Sequence, residues 1–156
     1  MSTADSLAPR RWGSNADWTR PFDELAVGES YRSKRRTVTE TDVVRFAGLC
    51  AEMNPAHGDP SRFGATAGRP AQAPDLLPLT YSIGLVPNRC IRALRRVLDL
   101  ELLAPARAGD TIHVEATIVG LEPWTEEYGL VTGRWQILNQ EDKILAAVTL
   151  EAVWVR

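Results

Sequence analysis

One stretch in the middle of the chain restricts the fold more than any other. Over residues 75–86, apolar side chains occupy nearly every side of a predicted helix, which Pro74 is well placed to open. A helix that is apolar on every side has to be covered on every side, so we expect it to be buried. Pro78 lies inside this stretch, where its ring and its missing N–H disturb helical hydrogen bonding. A kink or a later helix start is therefore an alternative.

The second half of the chain contains strands that can cover this helix. Leucines alternate with mostly charged residues over residues 94–102, and apolar residues alternate with polar ones over residues 111–118. This alternation is typical of strands that bury one face. In this pattern His113 points outward, and we expect it at the surface or at an interface. Turns are predicted at residues 104–110 and 139–142, and further strands at residues 128–138 and 144–155.

The first half of the chain predicts one strand, one helix and a long loop. Residues 30–38 have the pattern of a half-exposed strand. Thr39 offers an N-cap hydroxyl and Asp42 follows three residues later, which indicates a capping box at the start of a short amphipathic helix ending near Ala51. Residues 54–74 are rich in proline and glycine, and we expect a loop there.

This order of elements predicts an α+β fold in which a curved antiparallel sheet wraps around a central helix, the arrangement known as the hotdog fold. Sheet edges left exposed by so few strands favour a dimer that continues the sheet. We expect residues 1–20 to form a flexible N-terminal arm and residues 21–156 to form a single domain of ordinary size.

Composition excludes several classes of protein. A formal net charge of −2 provides no field that would attract nucleic acid or an anionic membrane. No apolar run approaches the roughly 20 residues that span a bilayer, and no signal peptide is apparent, so we expect a cytoplasmic protein. Cys50 and Cys90 lack the spacing of a metal site, and no glycine-rich phosphate loop is present, so we expect no cofactor.

A motif near the end of the first helix carries a family resemblance. Phe46-Ala47-Gly48-Leu49 is followed by Glu52-Met53-Asn54-Pro55-Ala56-His57. This segment resembles the MaoC-like hydratases and dehydratases, in which an F-A-G-L ending leads to D-x-N-P-x-H. The resemblance extends over about residues 20–156. It implies a hotdog fold and the addition or removal of water on an acyl thioester carried by coenzyme A or an acyl carrier protein.

The resemblance also implies the roles of individual residues. It assigns acid and base catalysis to His57 and Glu52, with Asn54 shaping the turn beside the substrate. Glu52 stands where the family has Asp, which keeps the carboxylate but lengthens the side chain. Where the family commonly has G-x-I-A-H-G-M, this chain has Gln72 and Ala73 in place of His and Gly. Backbone N–H groups near Ala73 are the implied donors to the thioester oxygen.

Asp75, just inside the predicted central helix, leaves several functions open. It is either a second catalytic carboxylate, as in some hotdog thioesterases, or a residue that the helix dipole stabilises. One alternative to a hydratase is therefore an enzyme that cyclises, dehydrates or rearranges a small polyketide-type intermediate. Another is a noncatalytic subunit that pairs with an active homologue, because two motif positions depart from the family pattern.

Two further groups of residues have both functional and structural interpretations. Basic side chains cluster before and along the strand at residues 94–102, where they either meet the phosphates of coenzyme A or an acidic carrier protein, or form a solvated face. These are Arg89, Arg92, Arg95 and Arg96. Three tryptophans on the late strands, Trp124, Trp135 and Trp154, are expected to pack in the core or at a dimer interface.

Overall fold

The computed structural model describes residues 15–51 and 70–156. Within these two ranges, a 3-10 turn at Phe22–Glu24 precedes two helices and six strands. In chain order these are β1 (Ser30–Arg32), β2 (Arg36–Thr37), α1 (Glu40–Leu49), α2 (Leu77–Leu85), β3 (Ile91–Leu102), β4 (Thr111–Pro123), β5 (Tyr128–Leu138) and β6 (Ile144–Val155).

The strands form one antiparallel sheet in the order β1-β4-β5-β6-β3, with β2 pairing separately with β4. The consecutive long strands β4, β5 and β6 are neighbours, as the alternating sequence pattern predicts. β3 crosses over to pair with β6, so it occupies an edge of the sheet. α2 packs on strands β4, β5 and β6 and contributes Leu77 to the core. The expected combination of an antiparallel sheet and a helix packed on it is confirmed.

The start of α1 agrees with the sequence in detail. The Thr39 hydroxyl accepts a hydrogen bond from the Asp42 amide at 3.1 Å, and the Asp42 carboxylate accepts one from the Thr39 amide at 2.9 Å. The predicted capping box is therefore confirmed. The helix ends at Leu49, and Ala51 then adopts a positive φ of 51°. This left-handed residue turns the chain away from the helix axis.

The first strand was predicted to run without a break over residues 30–38, and this is wrong, because the structure has two short strands there. Residues 33–35 separate β1 from β2, and the hydroxyl of Ser33 accepts a hydrogen bond from the Val114 amide at 2.9 Å. The same hydroxyl donates to the carbonyl of Lys34 at 2.7 Å. A side-chain hydroxyl thus takes the place of a main-chain partner, and the ladder between the first strand and β4 is interrupted.

The central helix starts later than Pro74 and is less covered than its composition predicts. α2 begins at Leu77, and Pro78 lies in its first turn, where a proline displaces no hydrogen bond. Leu77, Pro78 and Ser82 are buried, whereas Leu76 and Ile83 are exposed. The prediction of burial on every side is wrong, because within the described chain the sheet covers only one side of the helix.

Two predictions about strand faces are also wrong. The leucines of β3 were expected to bury one face, but Leu94, Leu98 and Leu102 are 45, 49 and 49 % exposed. β3 is an edge strand whose register with β6 shifts three times, which disturbs its alternation. His113 was expected at the surface or at an interface, but it is completely buried within the protein. β4 has partners on both sides, and Arg32 from β1 lies against the imidazole.

Aromatic residues join the N-terminal segment to the core. Trp18, within the segment expected to be an arm, is 2 % exposed and stacks on Tyr31 with ring centroids 5.6 Å apart. It also meets Trp154 edge to face at 6.4 Å. Trp135 and Trp154 are buried, in agreement with the packing prediction, whereas Trp124 is half exposed.

Candidate active site

The residues predicted to form the site fall into two groups. Glu52, Asn54 and His57 lie outside the described residues, and their roles stay predictions. Gln72, Ala73 and Asp75 are described and lie in the segment that leads into α2.

Gln72 and Asp75 line a pocket of about 240 Å³. Its other wall is the end of β3 and the turn that follows, residues 102–106. This wall consists of leucine, alanine and proline residues, and Gln72 and Asp75 are the lining residues with polar side chains. Apolar walls with a few polar groups are typical of small-molecule sites. The structure therefore brings two of the predicted site residues together.

The backbone amide of Ala73 already has a hydrogen-bond partner in the structure. Its amide donates to the carbonyl of Ala106 at 2.9 Å, and the amide of Ala108 donates to the carbonyl of Ala71 at 2.9 Å. The segment before α2 is thus paired with the turn after β3 in a short β-type bridge. An amide used in this way is not available to a thioester oxygen. The Ala73 amide itself is therefore occupied in this structure, and an oxyanion donor in the segment near Ala73 stays a prediction.

Sequence reasoning missed the residues that hold the pocket wall in place. The Asp110 carboxylate accepts hydrogen bonds from the Arg107 amide at 2.7 Å and from the Gln140 side chain at 3.2 Å. Gln140 lies in the turn between β5 and β6. Its side-chain oxygen Oε1 accepts a hydrogen bond from the backbone amide of Thr111 at 2.8 Å. The Arg107 guanidinium donates to the carbonyl of Pro70 at 3.3 Å. Turn residues far apart in sequence gave no signal of these contacts.

A second titratable cluster surrounds His113 and does not line this pocket. Its Nε2 lies 3.1 Å from an Arg32 nitrogen, and its Nδ1 has no hydrogen-bond partner among the described residues. Burial, and then the nearby Arg32 charge, lower the pKa of His113 to about 4. The imidazole is therefore neutral at neutral pH and accepts from Arg32. Glu115 and Asp142 also pair with Arg32, at 3.4 and 3.3 Å.

Two of the four arginines in the basic cluster at β3 form ion pairs inside the protein. Arg95 and Arg96 both donate to the buried carboxylate of Glu151 on β6, at distances between 2.6 and 3.1 Å. Hydrogen bonds from Arg96 and Arg95 lower the pKa of Glu151. Arg89 precedes β3 and Arg92 is its second residue, and both are exposed. The geometry thus favours a structural role for two of the four arginines.

Other kinds of site are not found in the described part of the chain. Residues 15–51 and 70–156 contain no group of three or more His, Cys, Asp or Glu side chains that could hold a metal ion. Within the same ranges, the helices are too short or too polar to cross a membrane.

Sequence comparison identifies the family. The chain is 30 % identical to an (R)-specific enoyl-CoA hydratase of Rhodospirillum rubrum over 104 residues, which are 65 % of this chain and 72 % of that protein. It is 29 % identical over 99 residues to the protein MaoC of Klebsiella aerogenes, of which the chain spans only 30 %. No protein-family model matches the chain. The chain belongs to the MaoC-like hydratase and dehydratase family.

Solved structures agree on the fold. A monoamine oxidase regulatory protein from Archaeoglobus superimposes with a TM-score of 0.77 at 28 % identity, covering 88 % of this chain and 95 % of that one. A MaoC-like dehydratase from R. rubrum gives a TM-score of 0.68 at 23 % identity, covering 88 % of this chain and 97 % of that one. A HadBC 3R-hydroxyacyl-ACP dehydratase complex from Mycobacterium tuberculosis gives 0.65 at 14 % identity, with coverages of 81 and 96 %. The predicted hotdog fold is confirmed.

Proposed function

We propose that this protein is a hydro-lyase that adds water to an enoyl thioester or removes it from a 3-hydroxyacyl thioester. The observation that carries the proposal is the similarity to an (R)-specific enoyl-CoA hydratase over 104 residues. The segment from Phe46 to His57, with its family spacing, lies in the same chain. The substrate is then an acyl group on coenzyme A or on an acyl carrier protein, and the reaction needs no cofactor.

In the proposed reaction Glu52 and His57 share the proton transfers. One of them takes a proton from water as the water oxygen bonds to C3, and the other gives a proton to C2. The elements of water are thereby added across the double bond, and dehydration is the reverse. The thioester oxygen gains negative charge on the way and needs an N–H donor. The resemblance places that donor in the segment around Ala73, next to Gln72, which lines the pocket.

The test uses the purified full chain with enoyl-CoA substrates of several chain lengths. Loss of the enoyl absorbance measures hydration directly. Glu52→Gln and His57→Ala are expected to lower kcat at least 100-fold, because general acid and base groups contribute factors of about 100 to 10,000. Glu40→Gln, which changes an exposed acid at the start of α1, is the matched control and should keep full activity. Full turnover in both site variants would rule out this mechanism.

One observation favours a second candidate function. Asp75 lines the described pocket and provides a carboxylate there. We propose as the alternative a repurposed hotdog enzyme that cyclises, dehydrates or rearranges a small polyketide-type intermediate with Asp75 as its acid or base. Two results together would favour this alternative over the hydratase. The wild type would not react with simple enoyl thioesters, and Asp75→Asn would lose the activity that the wild type shows on a polyketide-type intermediate.

The assembly proposed for the active protein is a homodimer joined at the β3 edge. Leu94, Leu98 and Leu102 are exposed along this strand, and a second copy would cover them. The end of the same strand lines the pocket, so a partner at this edge would also close the site. The alternative is a noncatalytic subunit of a heteromer. A homodimer in sedimentation analysis that hydrates enoyl thioesters alone would exclude the heteromer.

A further inference from the structure

The sheet has two edges, and the chain before β1 lies along one of them. β1 and β3 stand at the two ends of the strand order. The edge at β1 continues into β2 for only two residues, fewer than a strand normally uses for pairing. An open edge is a template on which another chain can pair. The state of each edge therefore decides how copies of this protein associate.

The outward direction of the β1 backbone follows from its pairing with β4. In an antiparallel pair, alternate residues direct their N–H and C=O groups away from the partner strand. The amide of Ser33, directly after β1, donates to the carbonyl of Val114 on β4 at 2.9 Å. By alternation, Ser30 and Arg32 are the residues of β1 whose backbone groups face outward.

These outward groups are bonded to residues 15 and 16. The Arg32 amide donates to the side-chain oxygen of Asn15 at 2.9 Å, and the Asn15 side-chain amide donates to the Arg32 carbonyl at 2.8 Å. The amide of Ala16 donates to the carbonyl of Ser30 at 3.0 Å. Because Asn15 bonds through its side chain, this segment is not a strand and offers no new ladder of its own.

Aromatic contacts anchor the same segment to the protein. The buried ring of Trp18 stacks on Tyr31 of β1 and meets Trp154 of β6. The indole N–H of Trp154 donates to the carbonyl of Arg20 at 2.9 Å. The bonds of residues 15 and 16 to β1 are thus held in place by a packed side chain.

The opposite edge is open and fits a second copy of this chain. Within the described chain no element pairs with the outer side of β3. Its first half is basic and its second half acidic, through Arg92, Arg95 and Arg96, and then Asp99 and Glu101. Glu151 neutralises one of the two arginines that it binds, so the first half keeps a net positive charge. Antiparallel pairing with another β3 sets opposite charges side by side, whereas parallel pairing sets like charges together.

We propose that residues 15–18 close the β1 edge and thereby stop self-association at two copies. With both edges open, β1 of one copy pairs with β3 of the next, and such head-to-tail contacts grow without end unless they close into a ring. With β1 closed, β3 pairs only with the β3 of another copy, and that contact uses both open edges. The inference rests on the homodimer proposed above for the contact at β3, whereas the closure of β1 is independent of it.

The first experiment compares the full chain with a variant whose β1 edge is open, by sedimentation velocity over a range of concentrations. Asn15→Ala with Ala16→Pro removes all three bonds to β1 and keeps the Trp18 anchor. The average mass should rise with concentration to at least about twice that of the wild type, because each added copy leaves another edge open. Asn88→Ala, which changes an exposed asparagine outside both edge strands, is the matched control and should sediment like the wild type. A double variant that sediments like the wild type would overturn the proposal.

A further substitution separates edge pairing from aggregation of an unfolded chain. Leu98→Lys places a charge in the middle of the β3 edge, which hinders strand pairing there. Added to the double variant, it should remove the large species. If the large species persist, they do not form through the sheet edges, and the proposal is wrong.

Hydrogen exchange tests the closure without any assembly. In dilute protein, the Arg32 amide should exchange several-fold faster in Asn15→Ala than in the wild type, because its acceptor is removed. The Ser33 amide, which donates to β4, is the internal control and should be unchanged. If the wild type is a monomer at every concentration but exchange responds in this way, the homodimer fails and the closed β1 edge stands. Unchanged exchange at Arg32 would overturn the closure in any oligomeric state.

Discussion

His113 on β4 is completely buried, with its Nε2 3.1 Å from the guanidinium of Arg32 on β1. Its pKa is about 4 in the folded protein, because burial and the arginine both disfavour a second positive charge. In the unfolded chain a histidine has a pKa near 6.5. As the pH falls from about 6.5 toward 4, the unfolded chain binds a proton that the folded protein does not bind. The folded state therefore loses stability over that range.

This loss should amount to about 2 to 3 kcal/mol between pH 7 and pH 4.5. Urea unfolding at several pH values measures it. Carboxylates titrate in the same range, so the informative quantity is the difference between the wild type and His113→Gln, which stays neutral at every pH. The pH dependence should be clearly weaker in the variant. If the free energy of unfolding depended on pH equally in the two proteins, the lowered pKa of His113 would be contradicted.

Glu151 should contribute strongly to stability through its two arginine partners. It is buried on β6, and Arg95 and Arg96 donate to it. Glu151→Ala leaves the guanidinium groups without their carboxylate and should lower the free energy of unfolding by about 2 kcal/mol. Glu122→Ala, on an exposed glutamate of β4, should cost less than about 0.5 kcal/mol. Chemical denaturation measures both losses. If Glu151→Ala lost no more free energy of unfolding than Glu122→Ala, the buried ion pair would contribute nothing to stability.

Gly129 is required by a close approach of the Phe22 ring to β5. A Cβ atom at this position would overlap the Phe22 ring, so Gly129→Ala forces the ring to move. The expected loss is about 1 to 3 kcal/mol, as for other overpacked cores. Gly48→Ala is the matched control, because the space around Gly48 in α1 is open and alanine favours helices. Thermal unfolding should show opposite shifts for the two variants, and a stable Gly129→Ala protein would contradict the predicted clash.

Ala51 carries backbone strain directly before the proposed catalytic segment. Its φ of 51° is in the left-handed region, which costs a non-glycine residue roughly 1 kcal/mol. Ala51→Gly should therefore raise the free energy of unfolding by about 0.5 to 1 kcal/mol. Ala47→Gly makes the same chemical change inside α1 and should lower it by at least about 1 kcal/mol. Urea titration measures both changes. If Ala51→Gly lowered the free energy of unfolding, backbone strain at Ala51 would be contradicted.

The sequence alone determined the local structure and the family. The capping box of Thr39 and Asp42, the long strands of the second half and the antiparallel sheet with its helix all agree with the structure. These features depend on neighbouring residues, because hydrogen bonds at a helix start and the alternation of a strand are set within a few positions. The roles of Glu52, Asn54 and His57, the cytoplasmic location and the arm at residues 1–20 stay predictions.

The tertiary structure decided which faces are covered and which polar groups are occupied. Residue alternation could not show that β3 lies at an uncovered edge or that Arg32 buries His113. Nor could a motif show that the Ala73 amide is bonded to Ala106. Each of these contacts joins residues more than 30 positions apart or depends on the order of strands in the sheet. Burial and hydrogen-bond partners are properties of the assembled sheet, so they became visible only when the strands were placed side by side.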